Sequence, residues 1–340
     1  MPIFNQSSIF INEMMNKVLK GDDINLIEAE KLLTQQSCWT SDDAKLLVTL
    51  ANCANTITRR FNGDLIDIET LINAKSGRCP EDCSFCAQSS FYDNNSNDIN
   101  KYPLLAKEVI LQQAKKAKEQ GATSFCLVCA YRSPPDKDFE QICDTIDAIK
   151  KDVDIDVNVS LGFMTRDRAR KLKSLGVKRY NHNLEACESY FPRICKTHGF
   201  ADRVNTARIV KEEGLELCCG GIIGMGESTR QRLELAFSIK SLNPDEVPIN
   251  ILIARKGTPL ADIYPLDAMD AIKTIAVWRF IMPKTILKIA GGRELILKDK
   301  ERLALKAGAN GIITGGYLTT SGNKPDQDIA MIKDIGLRTM

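Results

Sequence analysis

Residues Lys75–Ser90 read KSGRCPEDCSFCAQSS and place Cys79, Cys83 and Cys86 in the spacing C-x3-C-x2-C. Three thiolates on one short loop can hold three irons of a 4Fe–4S cube, whose terminal ligands are cysteines. The neighbouring cysteines in sequence are the distant Cys53 and Cys126, so one iron is left open to a ligand that is not protein. Two plainer explanations compete. A structural zinc site takes four ligands, usually paired cysteines or cysteines with histidine, and the chain has only His182 and His198. A disulfide would join two of the cysteines and strand the third. The cluster accounts for all three.

Working outward, the loop is preceded by a β-branched, apolar run at 68–74, and the same unit then recurs: short strand, loop, amphipathic helix closed by glycine. Candidate strands fall at 68–74, 124–131, 155–162, 179–185, 216–223, 247–253, 285–291 and 310–316. Between them lie helical stretches such as EVILQQAKKAKEQG, TRDRARKLKSLG, NTARIVKEEG and STRQRLELAFSIKSL. Ser228 with Gln231 is a capping-box pair, and Gly121, Gly176 and Gly214 fall where a helix C-terminus needs glycine. Strands alternating with helices predict an α/β fold, a (β/α)8 TIM-type barrel; an open, incompletely closed barrel is the alternative. Residues 8–60 read as three helices, with apolar residues at three- and four-residue steps. Ser41, Asp42 and Asp43 give the third a capped, acidic start, and Cys38 and Cys53 sit there as inert thiols. The expected organisation is an N-terminal helical extension over 1–62 and a barrel domain over 63–340. In such barrels the active site lies at the C-terminal ends of the strands, which is where the cysteine loop falls.

Composition removes other classes. Net charge is +2 over 340 residues, so no basic footprint for nucleic acid is present. No apolar run approaches the ~20 residues of a membrane helix, and the N-terminus lacks a secretory pattern. The cytoplasm is the expected compartment. The 12 cysteines are then reduced thiols or metal ligands.

Alternation along strands sorts inside from outside. Asp156, Asn158 and Ser160 share one face of the third strand, and Asn181, Asn183 and Glu185 one face of the fourth. Asn250 stands among apolar neighbours on the sixth. Polar groups inside a closed barrel are costly unless they bond each other or a ligand, and their convergence on the cysteine-bearing mouth favours a ligand.

A three-cysteine loop with Phe85 before its last cysteine resembles the radical S-adenosylmethionine superfamily, and CPEDCSFCAQS resembles its biotin synthase family. NHNLE at 181–185, GGIIGMGES at 220–228, VPINILIARKGTPL at 247–260 and AGGRE at 290–294 extend the resemblance over about 68–337. It implies a sulfurtransferase that inserts sulfur into dethiobiotin to give biotin, using S-adenosylmethionine cleaved at the 4Fe–4S cluster. By position, Asn183 and Asn250 would bond the ureido ring of dethiobiotin. Glu185 would bond the cofactor ribose and Arg203 its carboxylate, with Phe85 near the adenine. The glycines at 220, 221, 224 and 226 suit close backbone approach to the ligand. An electron donor such as flavodoxin or ferredoxin and a homodimer are also implied.

The resemblance breaks at one place. Family members hold an auxiliary 2Fe–2S cluster, the sulfur source, with three cysteines and an arginine. Cys126 and Cys218 match two of the cysteines, but Asn158 stands at the third place and Lys288 at the arginine's. A protonated lysine has no lone pair to offer and asparagine is a poor partner for iron–sulfur chemistry. The expectation is therefore a different auxiliary cluster, of four irons with additional sulfide. Cys126 and Cys218 would hold it with two of Cys129, Cys187 and Cys195, while Cys219 points to the helix side. Lys288 would lend its charge without ligating. Two other readings remain: a hydrogenase-maturase-like relative, and a non-catalytic iron–sulfur protein.

Overall fold

The structure, a computed structural model of the chain, describes residues 3–34, 41–92, 99–318 and 322–340. Cys38 and the side chains of Ser41–Asp43 lie outside the described residues. Nine strands build the barrel: β1 (Leu65–Lys75), β2 (Ser124–Cys129), β3 (Asp156–Ser160), β4 (Arg179–Asn181), β5 (Glu216–Cys218), β6 (Gly221–Ile223), β7 (Glu246–Ile251), β8 (Ile286–Ile289) and β9 (Gly311–Thr314). They pair in parallel in chain order, and β9 returns to pair with β1, so the barrel is closed. The stretch expected as one strand, 216–223, is two. β5 pairs with β4 and meets β7 only at Cys218–Glu246, after which β6 continues along β7. The break has a steric cause. A Cβ on Gly220 would stand 1.9 Å from the Pro248 carbonyl oxygen, and Pro248 has no N–H for a regular ladder. β5 and β6 share the fifth place of an eight-position barrel. A short β10 (Arg338–Thr339) lies beside the start of β1.

Three helices precede the barrel: α1 (Ile3–Leu19), α2 (Leu26–Thr34) and α3 (Ser41–Asn62). The barrel helices α4 (Lys107–Glu119), α5 (Asp136–Asp152), α6 (Arg166–Ser174), α7 (Phe200–Glu212), α8 (Thr229–Ser241) and α9 (Ala268–Ile281) follow successive strands. Gly121, Gly176 and Gly214 take φ of +82°, +78° and +78° just past α4, α6 and α7, and the Ser228–Gln231 capping box opens α8. α1–α3 pack over α8 and α9, with one contiguous apolar core running through both layers. That explains α9: residues 271–281 are all buried, as a helix covered on both sides must be. Its one buried guanidinium is satisfied, Arg279 donating to the Gly308 carbonyl at 2.8 Å and to Asn310 Oδ1 at 2.6 Å. No described helix is long and apolar enough to cross a membrane.

Candidate active site at the mouth of the barrel

The cysteine loop leaves β1 through a turn with Gly77 at φ +72° and Arg78 at φ +55°. It closes on itself, Cys79 N–H donating to the Gln88 carbonyl at 2.9 Å and Ser90 N–H to the Cys79 carbonyl at 2.8 Å. The Pro-Glu-Asp between the first two cysteines ties the loop to the segment after β4. Asp82 Oδ1 accepts from the N–H groups of Lys196 (2.9 Å) and Thr197 (3.0 Å) and from Cys195 Sγ (3.0 Å). Burial opposes the charge, but these donors outweigh it and hold the carboxyl down at about 2. Glu81 is also buried, bonded to His198 Nδ1 and to Arg132 Nη1 (2.6 Å). Sequence reasoning missed both carboxylates; the signal was two acids inside a cysteine loop that needs none for iron.

The three thiols line a cavity of about 320 Å³ in the barrel mouth. Phe85, Glu185, Arg203, Asn183 and Asn250 line the same cavity. A three-thiol wall beside a cation fits the donor set of an open cubane. Burial pushes the Cys86 thiol up to about 11, so iron has to displace its proton on binding. Arg203 reaches across to the loop, with Nη2 3.8 Å from Cys83 Sγ and Nη1 3.9 Å from Glu185. Glu185 sits at φ +68°, a conformation that costs of order 1–3 kcal/mol and clusters at ligand sites. Burial pushes its carboxyl up, partly offset by Arg203.

Both asparagines are held by backbone. Asn183 Oδ1 accepts from Gly220 N–H at 3.0 Å. Asn250 Oδ1 accepts from Gly291 N–H at 2.9 Å, and its Nδ2 donates to the Gly221 carbonyl at 3.2 Å. Each amide oxygen keeps a second lone pair and each Nδ2 a second hydrogen. The glycines have a different reason from the one expected. Gly220 and Gly221 do not line the cavity; their missing side chains make room for the Pro248 and Glu185 carbonyls, 1.9 and 2.8 Å from where a Cβ would stand. The close approach is to the protein's own backbone.

Below the mouth, Cys126 and Cys218 line the same cavity and are about 1% exposed. Asn181 Nδ2 donates to Cys126 Sγ at 3.4 Å, and Cys218 Sγ donates to Glu246 Oε1 at 3.1 Å. Burial, and then Glu69 or Glu246, push both thiols well above their ordinary value. Lys288 is fully buried, its ammonium 2.7 Å from each of Asp67, Glu69 and Glu246. Asn158 Nδ2 donates to Glu69 at 3.0 Å, and Arg179 binds Glu246 at 2.6 Å. Lys288 thus donates a hydrogen bond to Glu69 and pairs by charge with Asp67 and Glu246, the last of which accepts from Cys218. The sequence reading did not single out Asp67, Glu69, Glu246 or Arg179. Among the other candidates, Cys129 lines the cavity, whereas Cys187 and Cys195 do not. Cys187 Sγ bonds Ser189 Oγ at 3.3 Å, and Cys195 sits with Cys83 and His198. Cys219 is fully buried away from the cavity.

Residues 74–239 match the radical SAM superfamily and residues 248–338 the biotin and thiamin synthesis associated domain. The chain is 48% identical over 330 residues to the biotin synthase of Nitrosopumilus maritimus, covering 97% of this chain and 98% of that one. The chain belongs to the biotin synthase family. The biotin synthase of Pelotomaculum thermopropionicum is 42% identical over 97% of this chain and 99% of its own. Two solved structures share the fold: methylornithine synthase (TM-score 0.83, 20% identity, 96% of this chain and 97% of that one) and the FeFe-hydrogenase maturase of Carboxydothermus hydrogenoformans (0.80, 19%, 97% and 79%). At such identities they speak for the barrel alone, and the sequence relatives decide for a biotin synthase, a radical S-adenosylmethionine sulfurtransferase, over a maturase. In this biotin synthase the three-cysteine, one-arginine auxiliary set does not fit, because the residues at the two changed places, Asn158 and Lys288, are bonded to Glu69 and its neighbours.

Proposed function

We propose that this biotin synthase inserts sulfur into dethiobiotin within the cavity between the cysteine loop and the Cys126–Cys218 level. One observation carries the reading: three loop thiols, Arg203, Glu185, two asparagine amides and two deeper thiols line a single cavity. When bound, the 4Fe–4S cluster with S-adenosylmethionine supplies the radical chemistry that unactivated C–H bonds require and side chains cannot provide. Cys79, Cys83 and Cys86 hold the cluster. The Arg203 guanidinium fork suits the cofactor carboxylate, Glu185 offers acceptors to the ribose, and Phe85 flanks the adenine. Asn183 and Asn250 present their spare donors and acceptors to the ureido ring. Leu71, Val128, Ile222 and Ile251 wall the cavity and exclude water from it. The barrel over 63–340 is the catalytic unit and 1–62 an extension covering its outer helices. A one-electron donor such as flavodoxin or ferredoxin, a homodimeric state and a cytoplasmic location are carried over from the resemblance.

The test is anaerobic incubation of reconstituted enzyme with S-adenosylmethionine, reductant and dethiobiotin, with mass spectrometry for biotin. No biotin, with 5′-deoxyadenosine forming at a rate that ignores dethiobiotin, counts against the reading. Substituting Asn250→Ala is expected to weaken dethiobiotin binding by about 1–3 kcal/mol, the cost of unpaired buried partners. Affinity for S-adenosylmethionine should hardly change; equal losses for both would make Asn250 purely a backbone tether.

For the auxiliary site, the proposal is a cluster of four irons with additional sulfide on Cys126 and Cys218. Cys129 joins them as the candidate that shares their cavity. A variant lacking Cys79, Cys83 and Cys86 should still take up iron and sulfide, seen by analysis and Mössbauer spectra, and lose both on Cys126→Ala. A variant that takes up no iron under anaerobic reconstitution ends the idea.

A further inference from the structure

Arg203 is held from behind by a chain of side chains that the cluster chemistry itself does not use. Its Nε donates to His198 Nε2 at 3.0 Å, and its Nη1 to the Asn183 carbonyl at 2.9 Å. The guanidinium has only donors, so His198 Nε2 must accept. That puts the imidazole proton on Nδ1, where Glu81 receives it. Glu81 is fixed in turn by Arg132 Nη1 at 2.6 Å and by Thr197 Oγ1. Glu81 and His198 are 5% and 6% exposed, so water does not compete for these bonds. The ring is packed edge-on against Phe163, centroids 5.1 Å apart, and tilted against Phe191 at 5.6 Å. With Nε and one Nη1 hydrogen engaged, the rest of the fork is left facing the cavity beside Cys83 and Glu185.

We propose that His198, backed by Glu81, is a positioning residue that fixes the Arg203 guanidinium for the carboxylate of S-adenosylmethionine. A long arginine loses much rotamer freedom on binding, and a carboxylate–imidazole–guanidinium chain removes that freedom before the ligand arrives. Glu81 lies in the cysteine loop and His198 in the segment after β4, so the chain also sets the distance between the cluster wall and the arginine. The inference rests on the reading of Arg203 as the carboxylate partner.

The test compares His198→Leu, which removes both ring functions, with His198→Gln, whose amide oxygen can accept from Arg203 while its NH2 donates to Glu81. Binding of S-adenosylmethionine and of decarboxylated S-adenosylmethionine is measured by equilibrium dialysis on cluster-reconstituted enzyme, with iron content as a control. His198→Leu is expected to weaken S-adenosylmethionine by about 10-fold, the scale of one charge-assisted hydrogen bond. It should leave the decarboxylated ligand and the iron content unchanged, and His198→Gln should restore most of the affinity. Equal weakening of both ligands, no weakening, or failure of glutamine to rescue overturns the proposal. Arg203→Met separates the two layers. If it leaves the ratio of the two affinities as in the parent, the role given to Arg203 is wrong and this proposal falls with it. If it lowers that ratio while His198→Leu leaves it unchanged, only the positioning role of His198 is overturned.

Discussion

With Cys79, Cys83 or Cys86 replaced by alanine, one at a time, cleavage of S-adenosylmethionine falls below detection. Each thiol is one of three on a single wall of the cavity, and a cube that already leaves one iron to the cofactor has no protein ligand to spare. Nearby sulfur does not rescue the first and third positions, because the metal-competent group of Cys83, Cys195 and His198 includes neither Cys79 nor Cys86. The measurement is 5′-deoxyadenosine release with iron content, after anaerobic reconstitution. Retained cleavage in Cys79→Ala or Cys86→Ala would remove the loop from the chemistry. Retained cleavage in Cys83→Ala would likewise sink the assignment of that thiol as a ligand.

Lys288→Met unfolds far more easily than the parent protein at neutral pH. Lys288 is the shared counter-charge of Asp67, Glu69 and Glu246 inside the barrel, and its loss leaves Arg179 and the half-buried Lys178 against three buried carboxylates. Stranding buried charge by removing one partner costs about 3–5 kcal/mol. The sign of the pH dependence follows. In the parent, burial disfavours the Lys288 charge but the three carboxylates outweigh it and hold the ammonium well above its ordinary value. Its contribution is thus fully present below the unfolded lysine value, near 10.4, and is lost only as pH rises through the folded one. In the variant Asp67 and Glu246 lose the cation that holds their carboxyls down, and their folded values rise. The folded variant then binds more protons than the unfolded chain just above the ordinary carboxylate range, so its stability increases as pH falls through that window. Urea unfolding followed by circular dichroism should show a smaller deficit at about pH 5 than at about pH 8. A deficit below about 1 kcal/mol at both would mean that the network contributes nothing net.

Much of this protein was written along the chain. The three-cysteine loop states its chemistry in local spacing, and the alternation of β-branched runs with glycine-closed helices states a barrel. Ser228 and Gln231 cap α8 as their spacing requires, because capping is decided within one turn.

Tertiary structure decided what those residues touch. Alternation put Asn158 on the polar face of its strand, but only barrel closure, with β9 between β8 and β1, brings Lys288 within 2.7 Å of Glu69 across 219 residues. The glycines after β5 looked like a ligand cradle in sequence, while Pro248 and Glu185 show that their room is taken by backbone. Glu81 and His198 are 117 residues apart, and nothing in either stretch names the other. A sequence fixes strand faces and loop chemistry because those depend on neighbours within a few residues. Pairings across the barrel depend on where every strand lies at once, and only the closed barrel supplies that.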